Sequence, residues 1–427
     1  MIVIVGAGLA GLACARTLQQ AGVAPRDIRL VDRADLPGGR VATRTQNGYL
    51  LDRGFQVLLS SYPTARRLLD FEALELRWFD SGALFSGDGG ALVPWYAPMR
   101  HPLRGLRSAL TGPLSWTDQL RLARLMGSLA WRSEEDLIDR FGALETIDYF
   151  SYYGFKERVL EEFLRPFFGG VLLDDKLSTT AALWALYAKR FLWGRAAVPR
   201  RGMAEIPRQL AAGLDLAMWH GGREVTAIEA GDAGPVVRLA DGDSWRATQV
   251  VLAADPWTTA RWLGMEAPEA RSTTAVYFSS ERSLYRERLL VLSSGAGRWV
   301  RHVVQLSNIN PEVAPPGRHL LCATVLAALG SHDDEQVYKL TLSDLKEILP
   351  FGVNYLEPLA VERVARALPF QGLDWQQRQR RWREACPPGV VLAGDMARHA
   401  SIEGALASGV TAAESVLSAF SGPSERV

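Results

Sequence analysis

Cysteine is scarce in this chain. Cys14, Cys322 and Cys386 are three among 427 residues and lie far apart, which excludes a disulfide framework and a thiolate metal cluster and suits a reducing compartment. Lysine is scarce as well, five of 48 cationic residues, and the net charge is only +1. No global field therefore draws the protein to nucleic acid or to an anionic surface. No apolar run approaches the roughly 20 residues that a membrane-spanning helix needs. The apolar start, Met1 to Ala15, has no cationic leader and is interrupted by glycines, so a signal peptide is not expected and a cytoplasmic location is. Gly-x-Ser-x-Gly, zinc-ligand spacing, long charge runs and internal repeats are all missing, and no metal site is expected. What is present is an ordinary globular mix, 48% hydrophobic and 22% charged, in a chain long enough for two lobes.

The opening segment is the most informative. Ile2-Val3-Ile4-Val5 reads as a buried parallel strand and runs into Gly6-Ala7-Gly8-Leu9-Ala10-Gly11, followed by a helical stretch. A second apolar strand, Ile28 to Val31, ends in Asp32 and Arg33. Strand, glycine loop, helix, strand and acid together form a dinucleotide fingerprint. Gly6 serves the tight turn, Gly8 lets backbone amides reach a pyrophosphate, and Gly11 permits close helix–strand packing. The helix start faces the diphosphate, and Asp32 accepts from ribose hydroxyls. This pattern does not by itself separate NAD from FAD.

Leu36-Pro37-Gly38-Gly39-Arg40-Val41 follows, a flexible glycine pair with a guanidinium just past the acid. At this spacing it resembles the glycine-glycine-arginine motif of the flavin amine oxidase superfamily, and is most similar to its phytoene desaturase and protoporphyrinogen oxidase-like members. The resemblance recurs. Asp52-Arg53-Gly54-Phe55-Gln56 matches the segment that passes the flavin ring, and Val198 to Pro207 resembles the glycine–methionine turn before the middle cofactor segment. There Glu224 to Ile228 reads as a strand, with Val225 where the family's backbone contacts adenine. Val236 to Leu239 and Gln249 to Ala253 flank Asp241-Gly242, a hairpin signal. Val390 to Asp395 and Ser401 to Gly409 resemble the closing flavin motif.

That last stretch makes chemical sense unaided. A strand delivers Gly394 and Asp395, whose carboxylate suits a ribityl hydroxyl. Ser401 caps a helix with Ile402 and Glu403 in its first turn, and Gly404, Ala405, Ala407, Ser408 and Gly409 allow a backbone or a flat ring to approach. In the family this helix start points at the flavin pyrimidine, where amides and dipole stabilise negative charge.

Residues 141 to 195 carry 13 aromatics, against 9% for the whole chain, part core and part a large apolar cavity. Phe163 to Gly170 resembles the matching stretch of phytoene-desaturase-like proteins. Residues 114 to 145 and 178 to 192 read as helices, while 71 to 96 and 274 to 328 mix strands and turns. Pro94 to Pro102, with Arg100, Arg104 and Arg107, reads either as a peripheral membrane dock or as a proline-rich loop before a basic helix. The family's amine-sandwiching aromatic is not found in Arg398-His399-Ala400-Ser401, and Cys386 precedes the strand rather than meeting the ring, so non-covalent FAD is expected.

These readings predict an α/β chain with a Rossmann-like, glutathione-reductase-type FAD-binding domain made of residues 1–70, 196–262 and 375–427. A discontinuous mixed α+β substrate domain takes 71–195 and 263–374. The resemblance implies an FAD-dependent dehydrogenase or desaturase passing hydride from a hydrophobic, isoprenoid or carotenoid-like substrate to flavin N5, then to quinone or oxygen. Alternatives are a porphyrinogen or amine oxidase using oxygen and a non-catalytic flavin-binding partner. Beyond the flavin, His399 is a candidate proton acceptor or a structural helix-entry residue. Gln56 is a substrate contact or a backbone-bonded amide.

Overall fold

The computed structural model describes residues 1–86, 91–112, 114–293, 298–327, 329–349 and 351–421. The strand Ile2–Val5 is the centre of an all-parallel five-stranded sheet. Its spatial order is Trp219–His220, Ile28–Val31, Ile2–Val5, Gln249–Leu252 and Val390–Leu392. Ile2 stands opposite both Ile28 and Gln249. A parallel sheet needs cover on both faces, and alternate residues of the central strand serve two cores. Ile2 and Ile4 pack with Leu12 and Leu18 of the helix Leu9–Gln20 and with Leu406 and Val410 of the helix Ile402–Ser421. Val3 and Val5 pack with Val225, Val237, Leu239 and Trp245 of an antiparallel three-stranded sheet, Val225–Glu229, Val236–Leu239 and Ser244–Arg246.

One expectation changes here. The strand folding back across Asp241-Gly242 onto Val236–Leu239 is Ser244–Arg246, whereas Gln249–Leu252 joins the parallel sheet. Its fully apolar Val250-Val251-Leu252 is buried on both faces, which an exposed hairpin does not need.

The small residues after Ile402 have a packing reason. A Cβ at Gly409 would lie 2.1 Å from the Ala10 carbonyl oxygen, so the last helix lies directly on the start of the first. The two ends of the chain meet at the same loop.

A seven-stranded sheet forms the other half of the molecule, in the order Glu357–Pro369, Ala270–Ser280, His319–Val325, Val300–Gln305, Leu290–Leu292, Gly82–Ser86 and Leu92–Tyr96. One face packs Val276, Phe278, Val303 and Leu321 under Val337 and Leu345 of the helix Asp334–Ile348. The other face looks toward a group of helices. The helical expectation over 114–145 splits at Arg132: Ser115 and Ser133 each cap a separate helix, Trp116–Ala130 and Glu134–Phe141. The helix Ala181–Trp193 centres Trp184 between Phe150 and Phe168, at ring separations of 4.9 and 5.4 Å. Burying each such ring contributes roughly 1.5–3 kcal/mol. Part of the aromatic run is therefore ordinary core. Among the described residues, no helix is long and apolar enough to cross a membrane.

Candidate functional site

A cavity of about 1420 Å³ runs from the glycine loop at Gly6–Ala10, past Arg40, Gln56 and Asp395, to the aromatic helices. This exceeds the ~300–1,000 Å³ of an ordinary ligand pocket, so a long ligand and a second molecule both fit.

The three fingerprint glycines have three distinct reasons. Gly6 has φ +104°, donates to the Val31 carbonyl at 2.8 Å, and a Cβ there would fall 2.6 Å from the Ala253 oxygen. A Cβ at Gly11 would lie 1.8 Å from the Gly6 oxygen, so Gly11 is a packing residue and does not line the cavity. A Cβ at Gly8 would meet no protein atom within 4 Å. Among the described residues nothing forbids a side chain at Gly8, and the space it would enter is the cavity. The helix beginning there has no side-chain cap and no acid in its first turn, so its leading amides suit an anion brought by a ligand. Gly39, at φ +61°, lays the second loop against the first, 3.3 Å from the Gly8 Cα to its would-be Cβ, and the Gly38 amide donates to Ala7.

Asp32 stands at the cavity edge beside Arg33. Its carboxylate accepts from the amides of Ala7, 2.7 Å, and Ala34, 2.9 Å. Val225 lines the same end, together with Trp257, Thr258 and Arg261.

At the middle of the cavity, Arg40 donates to Asp395 Oδ2 at 2.5 Å and to the Ala367 carbonyl at 2.8 Å. The Gly394 amide is held by Ser408 Oγ at 2.7 Å, and Ser401 Oγ caps the last helix through the Gly404 amide at 3.0 Å. Leu9, Gly54, Phe55, Ile402 and Ala405 complete this wall. Gln56 Nε2 donates to the carbonyls of Arg40 and Arg53, but its buried Oε1 has no partner in the protein. Gln56 itself lines the cavity, while this oxygen is shielded from it. Just upstream, Asp52 Oδ1 takes the Thr43 hydroxyl, 2.5 Å, and the Met203 amide, 2.9 Å, which ties the Gly54–Gln56 segment to the Gly202–Ala204 turn. Burial pushes the Asp52 carboxyl up to about 6, against both of these hydrogen bonds.

Two expected residues lie elsewhere. The Glu403 carboxylate turns away from the cavity and accepts from the amides of Thr64, 2.9 Å, and Ala65, 3.2 Å, at the start of the helix Pro63–Leu68. A carboxylate in the first turn of one helix is here satisfied by the first turn of another. His399 is also outside the cavity lining. Its Nδ1 meets Ser401 Oγ at 3.0 Å, and burial lowers the ring to about 4 against the attraction of Glu134. Glu134 itself accepts from Arg190 and Arg398, and these cations with His399 hold it low in spite of its burial.

The far end of the cavity is aromatic: Phe79, Trp95, Phe163, Phe167, Phe191 and Trp193. Tyr187 also lines it, its hydroxyl donating to Ala400 at 2.7 Å, as does Tyr62. His302 and Thr324 come from the seven-stranded sheet. No motif marks either residue, because they reach the cavity only through strand pairing. At the rim stand Met99 and Trp131, 68% and 86% exposed, beside the uncovered Leu103, Leu106 and Leu110 of the helix Pro102–Thr111.

The family model described as flavin containing amine oxidoreductase matches residues 9–417. Protoporphyrinogen oxidase 2 of Arabidopsis thaliana is 24% identical over 175 residues, 41% of this chain and 33% of that protein. The 15-cis-phytoene desaturase of Synechococcus elongatus is 28% identical over 203 residues, 45% of this chain and 41% of that protein. The matches thus span between a third and two fifths of these relatives' length. In three dimensions, cyclohexylamine oxidase from Brevibacterium oxydans overlays with a TM-score of 0.71 over 98% of this chain and 99% of that one, at 16% identity.

Proposed function

This chain belongs to the flavin-containing amine oxidoreductase family, and on that premise we propose that it is an FAD-dependent dehydrogenase or desaturase of a hydrophobic substrate. The observation that carries the reading is the continuous cavity, which joins an uncapped helix start at Gly8 to a chamber walled by aromatic rings. In this reading the parallel sheet belongs to a Rossmann-like, glutathione-reductase-type cofactor domain of residues 1–70, 196–262 and 375–427. Residues 71–195 and 263–374 make the substrate domain.

FAD is held without a covalent bond. The amides after Gly8 take its diphosphate, Asp32 its adenosine ribose and Asp395, steadied by Arg40, its ribityl chain. Cys386 supports non-covalent attachment, since its thiol donates to the Trp382 carbonyl and lines no part of the cavity. Bound FAD supplies a two-electron acceptor at flavin N5. The chain's own part is to orient and to dry the reacting centre. The helix start at Ile402 lines the cavity and favours negative charge there, and the aromatic wall excludes water.

The substrate is an apolar molecule, of isoprenoid or comparable size, and the final acceptor is quinone or oxygen. It enters from a lipid surface on which the helix Pro102–Thr111 rests. Leu103, Leu106 and Leu110 form an exposed apolar row beside the cavity rim, with Arg100 and Arg104 flanking it. Anaerobic mixing with polyenes, porphyrinogens and amines tests the assignment: the effective substrate bleaches the bound flavin. Slow reoxidation in air with faster reaction toward quinone is expected. Rapid reoxidation in air would instead identify an oxidase, and a flavin bleached by no member of the panel would overturn the catalytic reading.

A further inference from the structure

His302 lies in the strand Val300–Gln305, next to a β-bulge between Val300 and His302. Consecutive residues of a regular strand face opposite sides, yet Arg301 and His302 both reach the same stretch of chain. Arg301 holds both oxygens of Asp175 at 2.7 Å, and His302 Nε2 meets the Pro166 carbonyl at 2.7 Å. A bulge re-aims a side chain in this way. The opposing element is adapted too. Pro166 has no N–H, and the helical stretch before it widens into a π-turn over Leu160–Leu164. Gly170, one turn later, leaves the room that the imidazole fills: a Cβ there would sit 1.8 Å from His302 Cε1. The ring is 3% exposed and lines the cavity beside Phe163 and Phe167.

The Pro166 carbonyl can only accept, so Nε2 carries the proton and Nδ1 keeps a lone pair. Burial lowers the ring to about 4, against the pull of the Pro166 and Phe167 carbonyls, so it stays neutral near pH 7. Among the described residues, Nδ1 makes no hydrogen bond within 3.5 Å. Across the strand pair, Thr324 stands in register with His302. An imidazole nitrogen set into an aromatic wall is costly unless a donor answers it.

We propose that His302 is a specificity-determining substrate contact, its Nδ1 accepting from a hydroxyl or N–H carried by an otherwise apolar substrate. Gly170 is glycine so that the ring can lie there. The inference rests on the reading of the aromatic end as a substrate chamber. It selects, among hydrophobic molecules, those with a hydrogen-bond donor over plain hydrocarbons.

The test uses the FAD-loaded protein and two flat tricycles of matched shape, carbazole with an N–H and fluorene with a methylene, titrated by calorimetry. Carbazole is expected to bind roughly five- to tenfold tighter, the factor a single net hydrogen bond gives. His302→Phe removes that preference and leaves fluorene affinity unchanged. Gly170→Ala, which pushes the ring from its seat while keeping His302, removes it by an independent route and decides the matter should His302→Phe not fold. Equal affinities in the unaltered protein, or a preference that survives both substitutions, overturns the proposal. Binding of neither tricycle overturns the chamber reading along with it, a result distinct from binding both alike.

Discussion

A methyl group added at Gly11 would sit 1.8 Å from the Gly6 carbonyl oxygen, far inside van der Waals contact. Relief requires the helix Leu9–Gln20 to lift off its own loop, and overpacking of this kind costs ~1–3 kcal/mol or more. The same methyl at Gly8 meets no protein atom within 4 Å, on a backbone at φ −72°, ψ −176° that any residue adopts. There the change stabilises the flavin-free protein slightly, by roughly 0.4–1 kcal/mol through the unfolded chain. FAD binding reverses the comparison. On the proposed binding mode the methyl at Gly8 occupies the approach to the diphosphate, and losing one charge-assisted amide contact of about 1.5 kcal/mol already weakens affinity some tenfold. Both variants are to be stripped of flavin, unfolded in urea, and then titrated with FAD by fluorescence. Gly11→Ala should unfold early. Gly8→Ala should unfold with the unaltered protein yet bind FAD at least about tenfold more weakly. Wild-type FAD affinity in Gly8→Ala, or early unfolding of its flavin-free form, refutes the separation of the two roles.

Asp395→Ala removes the partner of Arg40 and should weaken FAD in the same titration while circular dichroism stays unchanged; unaltered affinity counts against the ribityl role. Asp52 is held at about 6 in the fold against 3.8 as the ordinary value, so the stability gained by keeping it protonated is present below pH 4 and lost as pH rises toward 6. Both of its hydrogen bonds go to one oxygen, which Asp52→Asn retains. The asparagine variant should therefore overtake the unaltered protein between pH 4 and pH 7, by on the order of 1–3 kcal/mol, tempered by partial exposure; parallel pH profiles in thermal melts would contradict this. Replacing Leu103, Leu106 and Leu110 by glutamine should cut co-sedimentation with anionic vesicles several-fold, and neutralising Arg100, Arg104 and Arg107 should weaken it further. Sedimentation that does not respond removes the lipid dock.

Features legible in the sequence are those that one short backbone segment must solve alone. The turn at Gly6, the helix start at Gly8 and the Ser401 cap are local and stand in the structure, and Asp32 lies at the cavity edge. Pairing across distance is different. Gln249–Leu252 reads as a hairpin arm because Asp241-Gly242 is a true turn, but the arm that returns is the short Ser244–Arg246, whose one apolar side chain is Trp245. Glu403 and His399 sit in the motif yet point away from the cavity, because the side of a helix that faces a ligand depends on what packs against its other side. His302 and Gly170 lie 132 residues apart, and no spacing rule connects them.

The meeting of the two chain ends bears on how the protein is made. The strand Ile2–Val5 is made well before its flanking strand Gln249–Leu252, whose own neighbour is Val390–Leu392. The helix that seats on Ala10 begins at Ile402. The Gly6–Ala10 loop therefore stays uncovered until the helix from Ile402 has been made, and contacts of such long span close slowly. A stop before Ile402 would remove the helix that packs on the first loop, and is expected to give a product that retains no FAD even though every residue of the opening glycine motif is intact.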